Sequence, residues 1–213
     1  RAARWAREHG AGLEVISADR AVGRVVAFDE TARANVEGAM RDQLAELVGD
    51  VATSYRVIAG SPVGALVEAG RSASTIVVGS RGLTAREDFA MGSTSAGVVE
   101  HATCPVLVIT PRTPDRPVGG PVVLASDGSP ANSPATAFAF AEAERRGVTL
   151  RVVHSVEVPK LPGASLFDLD RLAENVLAED EAQVLGSLAQ HEARHPSVSV
   201  DLVLVVGDPA TTI

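Results

Sequence analysis

The apolar positions of the chain fall in short, uninterrupted runs, among them Ile76-Val77-Val78, Val106 to Ile109, Val122-Val123-Leu124 and Leu202 to Val206. Runs of this length, bounded by Gly, Pro and Ser, read as strands buried on both faces, the pattern of a parallel sheet covered by helices. The first part of the chain predicts a helix to His9, a strand Leu13 to Ala18, a helix Glu30 to Leu47 and a strand Ser54 to Ala59. A helix from Pro62, a strand Thr75 to Val78, a helix Ser93 to His101 and a strand Val106 to Thr110 follow. Pro62 suits a first helical turn, with Ser61 able to cap it. The later part predicts a strand Val122 to Ser126, a helix Pro134 to Arg146, a strand Leu150 to Ser155, a long helix Asp168 to His191 and a strand Val200 to Val206. Strands alternating with helices predict an α/β fold.

An internal repeat organises these elements. Gly10 to Ser17 matches Gly147 to His154 at an offset of 137, and Gly60-Ser61-Pro62 matches Gly207-Asp208-Pro209 at an offset of 147. Two copies of one fold follow. The extra residues of the second copy fall around the long helix and its entry, Pro159 to Gly163. Pro111 to Pro121, with four prolines and two glycines, is the natural linker, which gives domains at 1–113 and 118–213.

Composition narrows the chemistry. At 213 residues and 46% hydrophobic content the chain can fill packed cores, but with 3% aromatics those cores are built from Val, Leu, Ile and Ala. A net charge of −8 and the lack of any Lys/Arg run argue against nucleic acid or an anionic membrane as partner. Cys104 is the single cysteine, so an internal disulfide is impossible, and no apolar run is long enough to cross a bilayer. The expectation is a soluble, cytoplasmic protein.

One stretch carries a specific chemical signal. Gly79-Ser-Arg-Gly82 leaves the end of the Ile76 to Val78 strand, and after nine residues Gly92-Ser93-Thr94 opens a helix. Gly79 and Gly82 could take φ > 0 and let main-chain amides approach an anion, while the helix start presents further amides and a dipole to it. The segment lacks the Lys of a Walker A loop and the spacing of a dinucleotide fingerprint. The alternative is a tight turn and nothing more. In the second copy, Asp127-Gly128-Ser129 ends a strand, where open α/β sheets bind ligands; the plainer reading of Asp127 is a turn acceptor for the amides that follow it.

Together, the G-x-x-G, nine residues, G-S signature at Gly79, Gly82, Gly92 and Ser93, with Val77 to Gly82, Cys104 to Ile109, Asp127 to Ser129 and the two Gly-x-Pro turns, resemble the universal stress protein family in its tandem form. The resemblance implies two Rossmann-like domains, flavodoxin-like and adenine nucleotide alpha hydrolase-like, each an open parallel five-stranded sheet flanked by helices, with last strands pairing between domains. It also implies binding of ATP or AMP, with Mg as an accompanying ion, by a stress-response sensor or regulator. Carried over, Gly79, Arg81, Gly82, Gly92, Ser93 and Thr94 hold phosphates, and Asp127 meets base or ribose. The partners implied are an adenine nucleotide and the paired domains, with a homodimer as a further state. The rival readings are an interaction scaffold without ligand and an adenine-nucleotide-using α/β enzyme. The first copy lacks a strand bearing its own Asp-Gly-Ser, and the second lacks a glycine signature. The pattern therefore predicts a partial sequence with both domains incomplete.

Other residues suggest different chemistry. His191-Glu-Ala-Arg-His195 fits the H-E-x-x-H of zinc peptidases, but Pro196 follows at once, and a solvated helix end is the better reading. Ser93 with His101, or Ser126-Asp127, could be offered as nucleophile and base, but no G-x-S-x-G elbow is present. Cys104 reads as a small buried hydrophobe and His154 as a core histidine. With no general base or water-positioning group in the signature, no dedicated catalysis is expected, and at most slow ATP hydrolysis.

Overall fold

A computed structural model describes residues 1–19, 30–80, 91–110, 119–156 and 166–209. The chain divides into two units, Arg1–Pro114 and Asp115–Ile213. Residues 111–118 of the linker Pro111 to Pro121, the entry segment 159–163, and both Arg81 and Gly82 of the signature lie outside the described residues.

In the first unit the order is α1 (Ala2–Glu8), β1 (Leu13–Asp19), α2 (Glu30–Val48), β2 (Thr53–Ala59), α3 (Pro62–Gly70), β3 (Ile76–Gly79), α4 (Ser93–His101) and β4 (Val106–Ile109). β1 runs parallel to β2, Leu13 facing Thr53, and β3 runs parallel to β4, Ile76 facing Val106. The second unit holds β5 (Val122–Ala125), a 3-10 turn Pro130–Asn132, α5 (Ser133–Arg146), β6 (Leu150–Val156), α6 (Leu166–Arg194) and β7 (Val200–Val206). Its three strands are parallel in the order β5-β6-β7. Parallel strands joined through helices are the α/β architecture that the alternating pattern predicts. Among the described residues, however, the first unit carries two separate strand pairs and the second a three-stranded sheet, rather than five strands in each.

The repeat is written in the backbone as well as in the sequence. Gly10 (φ 60°) and Gly147 (φ 61°) turn the chain out of α1 and α5 toward β1 and β6, and Gly60 (φ 140°) and Gly207 (φ 149°) follow β2 and β7. These are left-handed positions that a Cβ resists, so glycine recurs because the turn recurs. Ser61 caps α3, its Oγ accepting from the Gly64 N–H at 3.5 Å, with Pro62 in the first turn.

Packing explains two further glycines. A Cβ on Gly70 would lie 2.7 Å from Ile76 Cδ1 and 3.3 Å from Cys104 Sγ, and one on Gly97 would lie 3.0 Å from Val63 Cγ2. Close approach of α3 to β3, and of α4 to α3, thus depends on absent side chains. The core of the second unit joins Leu124, Phe140, Ala143, Leu150, Val152, Val184 and Leu188. Fully burying each larger member contributes about 1.5–3 kcal/mol. Among the described residues no helix is long and apolar enough to cross a membrane.

Candidate functional site

β3 ends at Gly79, whose partner across the ladder is Ile109, and the chain returns at Gly92 to start α4. Three contacts tie these ends together. The Ser80 N–H donates to the Ile109 carbonyl at 2.7 Å, the Gly92 N–H donates to the Ser80 carbonyl at 2.7 Å, and the buried Ser95 hydroxyl donates to the Gly79 carbonyl at 2.5 Å. The helix start is therefore held against the carboxyl end of a parallel strand pair, where sheets of this kind open to ligands.

The glycines achieve this without the left-handed backbone expected for Gly79. Gly79 is an extended strand residue, and Gly92 sits at φ −61°, ψ 150°, which any residue adopts. What Gly92 supplies as the N-cap of α4 is a missing side chain, since no side-chain cap bonds the first turn. The first intrahelical bond runs from the Ala96 N–H to the Gly92 carbonyl, so the N–H groups of Ser93, Thr94 and Ser95 have no acceptor within the helix. Ser93 is exposed and Thr94 half-buried. Uncapped amides with the positive end of the helix dipole attract an anion. The structure thus brings together Gly79, Gly92, Ser93 and Thr94.

Asp127 belongs to the other unit. It follows β5 in a turn where its Oδ1 accepts from the Ser129 N–H at 2.9 Å. That backbone N–H first, and then the Ser129 side chain, hold the carboxyl below its usual range, so it is a charged acceptor in solvent. The turn needs Gly128, at φ 71° with its N–H donating to Ser126 Oγ at 3.2 Å. Gln183 of α6 donates from Nε2 to the Asp127 carbonyl at 3.3 Å.

Beside this turn lies a cavity of about 400 Å³ lined in part by Ser126, Asp127, Asn132, His154, Ser155 and Pro209. His154 is buried, as a core histidine would be, but it also borders the cavity. Its Nδ1 donates to the Ser126 carbonyl at 2.6 Å and its Nε2 lies 3.5 Å from Asp180 Oδ2. Asn132 donates from Nδ2 to the Ala125 carbonyl at 3.2 Å. Sequence reasoning missed Asn132 and Ser155 as lining residues. The usable signal was that Ser155 lies near the carboxyl end of a predicted strand and Asn132 in the loop after another.

The alternative chemistry has structural addresses of its own. His191 is buried and stacks on Phe140 at 5.8 Å between ring centres, and burial pushes its pKa down. His195 pairs through Nδ1 with Glu144 Oε2 at 2.8 Å. Among the described residues no group of three His, Cys, Asp or Glu side chains could hold a metal ion.

Comparison with known proteins bears on the family and the fold. The model of the universal stress protein family matches residues 1–110 and 120–213. A universal stress protein of Mycobacterium tuberculosis strain H37Rv is 40% identical over 160 residues, 72% of this chain and 52% of its own length. Another from the same strain is 30% identical over 212 residues, 97% of this chain and 62% of its own. The chain spans about half the length of the first of these curated relatives. The crystal structure of a universal stress protein from Archaeoglobus fulgidus shares the fold at a TM-score of 0.63, with 20% identity over all of this chain and 72% of that one. With both of its segments matched, each around parallel strands and helices in repeated order, the chain belongs to the universal stress protein family.

Proposed function

We propose that the chain binds an adenine nucleotide, ATP or AMP, and acts as a cytoplasmic stress-response sensor or regulator without dedicated catalytic activity. The observation that carries this is the uncapped amino end of α4, tied by Ser95 and Gly92 to the carboxyl end of β3. Main-chain amides there suit a phosphate tail, and their number does not depend on side-chain protonation. In this reading Gly79, Arg81, Gly82, Gly92, Ser93 and Thr94 surround the phosphates, with Mg as an accompanying ion. The ionised Asp127 carboxylate suits a hydroxyl or amino donor, as ribose and adenine provide, at the 400 Å³ cavity of the second unit. The two contributions lie in different units, 1–113 and 118–213 in the domain division proposed here. Pairing of those domains, or of two chains, accompanies the reading.

The test is Ser93→Glu, measured by calorimetric titration of the chain with ATP. A carboxylate in the first turn of α4 stabilises the helix by a few tenths of a kcal/mol but opposes a phosphate at the same amides. Affinity for ATP should fall about tenfold or more while thermal stability holds or rises. Equal affinity in Ser93→Glu and the parent chain, or no binding by either, would remove the assignment.

A further inference from the structure

Three successive carbonyls at the exit of β5 are each taken up by a side chain from a different element. Asn132, in the 3-10 turn, donates from Nδ2 to the Ala125 carbonyl at 3.2 Å. His154, on β6, donates from Nδ1 to the Ser126 carbonyl at 2.6 Å. Gln183, on α6, donates from Nε2 to the Asp127 carbonyl at 3.3 Å. The pairing of β5 with β6 runs to Ala125↔Val153, and the Ser126 N–H still donates to the Val153 carbonyl at 3.0 Å. Past that point side chains take over the holding of the main chain.

The middle clamp is the one shielded from water. His154 and Ser126 are both buried, whereas Asp127 itself is exposed. Facing a carbonyl, Nδ1 must carry its proton, and a buried carbonyl deprived of that donor would have to rearrange until it found another. The ring is held on its far side too, with Nε2 3.5 Å from Asp180 Oδ2. Asp180 stands three residues before Gln183 on α6, so that helix acts on the turn at two points, directly through Gln183 and indirectly through His154. With its carbonyls committed in this way, the turn folds its next two amides back on itself. The Gly128 N–H donates to Ser126 Oγ at 3.2 Å and the Ser129 N–H to Asp127 Oδ1 at 2.9 Å.

We infer that His154 is a positioning residue for the Asp127 carboxylate: anchored by Asp180 and acting with Asn132 and Gln183, it sets the path of Ala125 to Asp127 so that the carboxylate stands fixed at the 400 Å³ cavity before a ligand arrives. What the carboxylate meets there, a hydroxyl or amino donor of a nucleotide, rests on the function proposed above; the positioning itself does not. A turn ordered in advance spares the ligand that ordering cost. A turn that holds the competent arrangement for only a fraction of the time weakens binding by that fraction.

The test compares His154→Leu, which keeps bulk and deletes the donor, with His154→Asn, whose amide reaches the place of Nδ1. Both replacements are neutral, so loss of any imidazole charge is common to the two. The Asp127 carboxyl carbon, titrated by NMR in the full chain, should ionise below the ordinary carboxylate range in the parent. His154→Leu should move it up toward that range as the bond from Ser129 loosens, and His154→Asn should stay with the parent. Hydrogen exchange at the Gly128 and Ser129 amides should quicken about fivefold or more in His154→Leu relative to the amides of β6, a ratio that uniform loosening of the unit leaves unchanged. Asp180→Ala releases the ring without touching the buried residue. Removing a negative charge can by itself only lower the Asp127 titration, so the rise expected there reports the released turn. Affinity for ATP, read by calorimetry, should fall about fivefold or more in His154→Leu and recover in His154→Asn. No ATP binding by the parent would remove the nucleotide reading and leave the carboxyl titration to decide the positioning. An Asp127 titration that is the same in His154→Leu or in Asp180→Ala as in the parent, no recovery in His154→Asn, or exchange that rises equally throughout β6 would each overturn the inference.

Discussion

Gly128→Ala tests the turn that presents Asp127. At φ 71° an L-residue clashes with its own backbone, which costs about 1–2 kcal/mol. The added Cβ would also stand 3.0 Å from Gln183 Nε2 and 3.1 Å from Gln183 Cγ, so Gln183 must withdraw. Its hydrogen bond to the Asp127 carbonyl is then lost, at about 0.5–1.5 kcal/mol. The sum predicts a loss of about 1.5–3.5 kcal/mol from the second unit. A double-mutant cycle separates the parts. In a Gln183→Ala background the collision and the bond are already gone, so Gly128→Ala should cost only the backbone strain of about 1–2 kcal/mol. Urea unfolding followed by circular dichroism, with hydrogen exchange on segments of the second unit, reads both numbers. Additive losses would show that Gln183 does not brace the turn. A cost below about half a kcal/mol would show that the turn is not left-handed in solution.

Three other outcomes follow from the geometry. Ser95→Ala deletes the bond to the Gly79 carbonyl inside a buried contact and should cost about 1–3 kcal/mol, measured by urea unfolding, while loosening the end of β3 in hydrogen exchange. Gly70→Ala drives a Cβ to 2.7 Å from Ile76 Cδ1 and should destabilise the first unit by about 1–3 kcal/mol, read by the fluorescence of Trp5 on urea unfolding. His191 has a pKa below its usual 6.5 because burial, and then Arg194 and His195, disfavour the cation. The unfolded chain therefore binds the proton more tightly than the folded one. Stability is full above about pH 6.5 and is lost as pH falls through the folded value. His191→Phe should flatten that part of the Tm profile between neutral and mildly acid pH, and an unchanged slope would place the titration elsewhere.

Much of this arrangement was legible in the order of residues, because local physics writes it there. Val200 to Val206 and Ser93 to His101 are read from sequence with the bounds the structure has, since apolar runs and Gly-Ser junctions report on the chain's own short-range preferences. The recurring turns at Gly10 and Gly147, and at Gly60 and Gly207, were visible for the same reason: only glycine takes those φ values without strain. The family model matches residues 1–110 and 120–213, the stretches in which those turns recur.

Tertiary structure decided what depends on approach between distant segments. The absence of a capping side chain at α4 becomes meaningful only because Ser95 and Ser80 hold that helix end against β3. Likewise only the fold places His154 at the border of a cavity, with its Nδ1 on the Ser126 carbonyl and its Nε2 3.5 Å from Asp180 of α6. Pairing was the least legible feature of all. Leu13 to Ile16 and Leu150 to Val153 share one pattern, yet Leu150, Val152 and Val153 are buried whereas Leu13, Val15 and Ile16 are half-exposed and face a groove. A strand's hydrogen-bonding edge is the same for every sequence, so whether it is filled is a property of what lies beside it in space and not of the residues that form it.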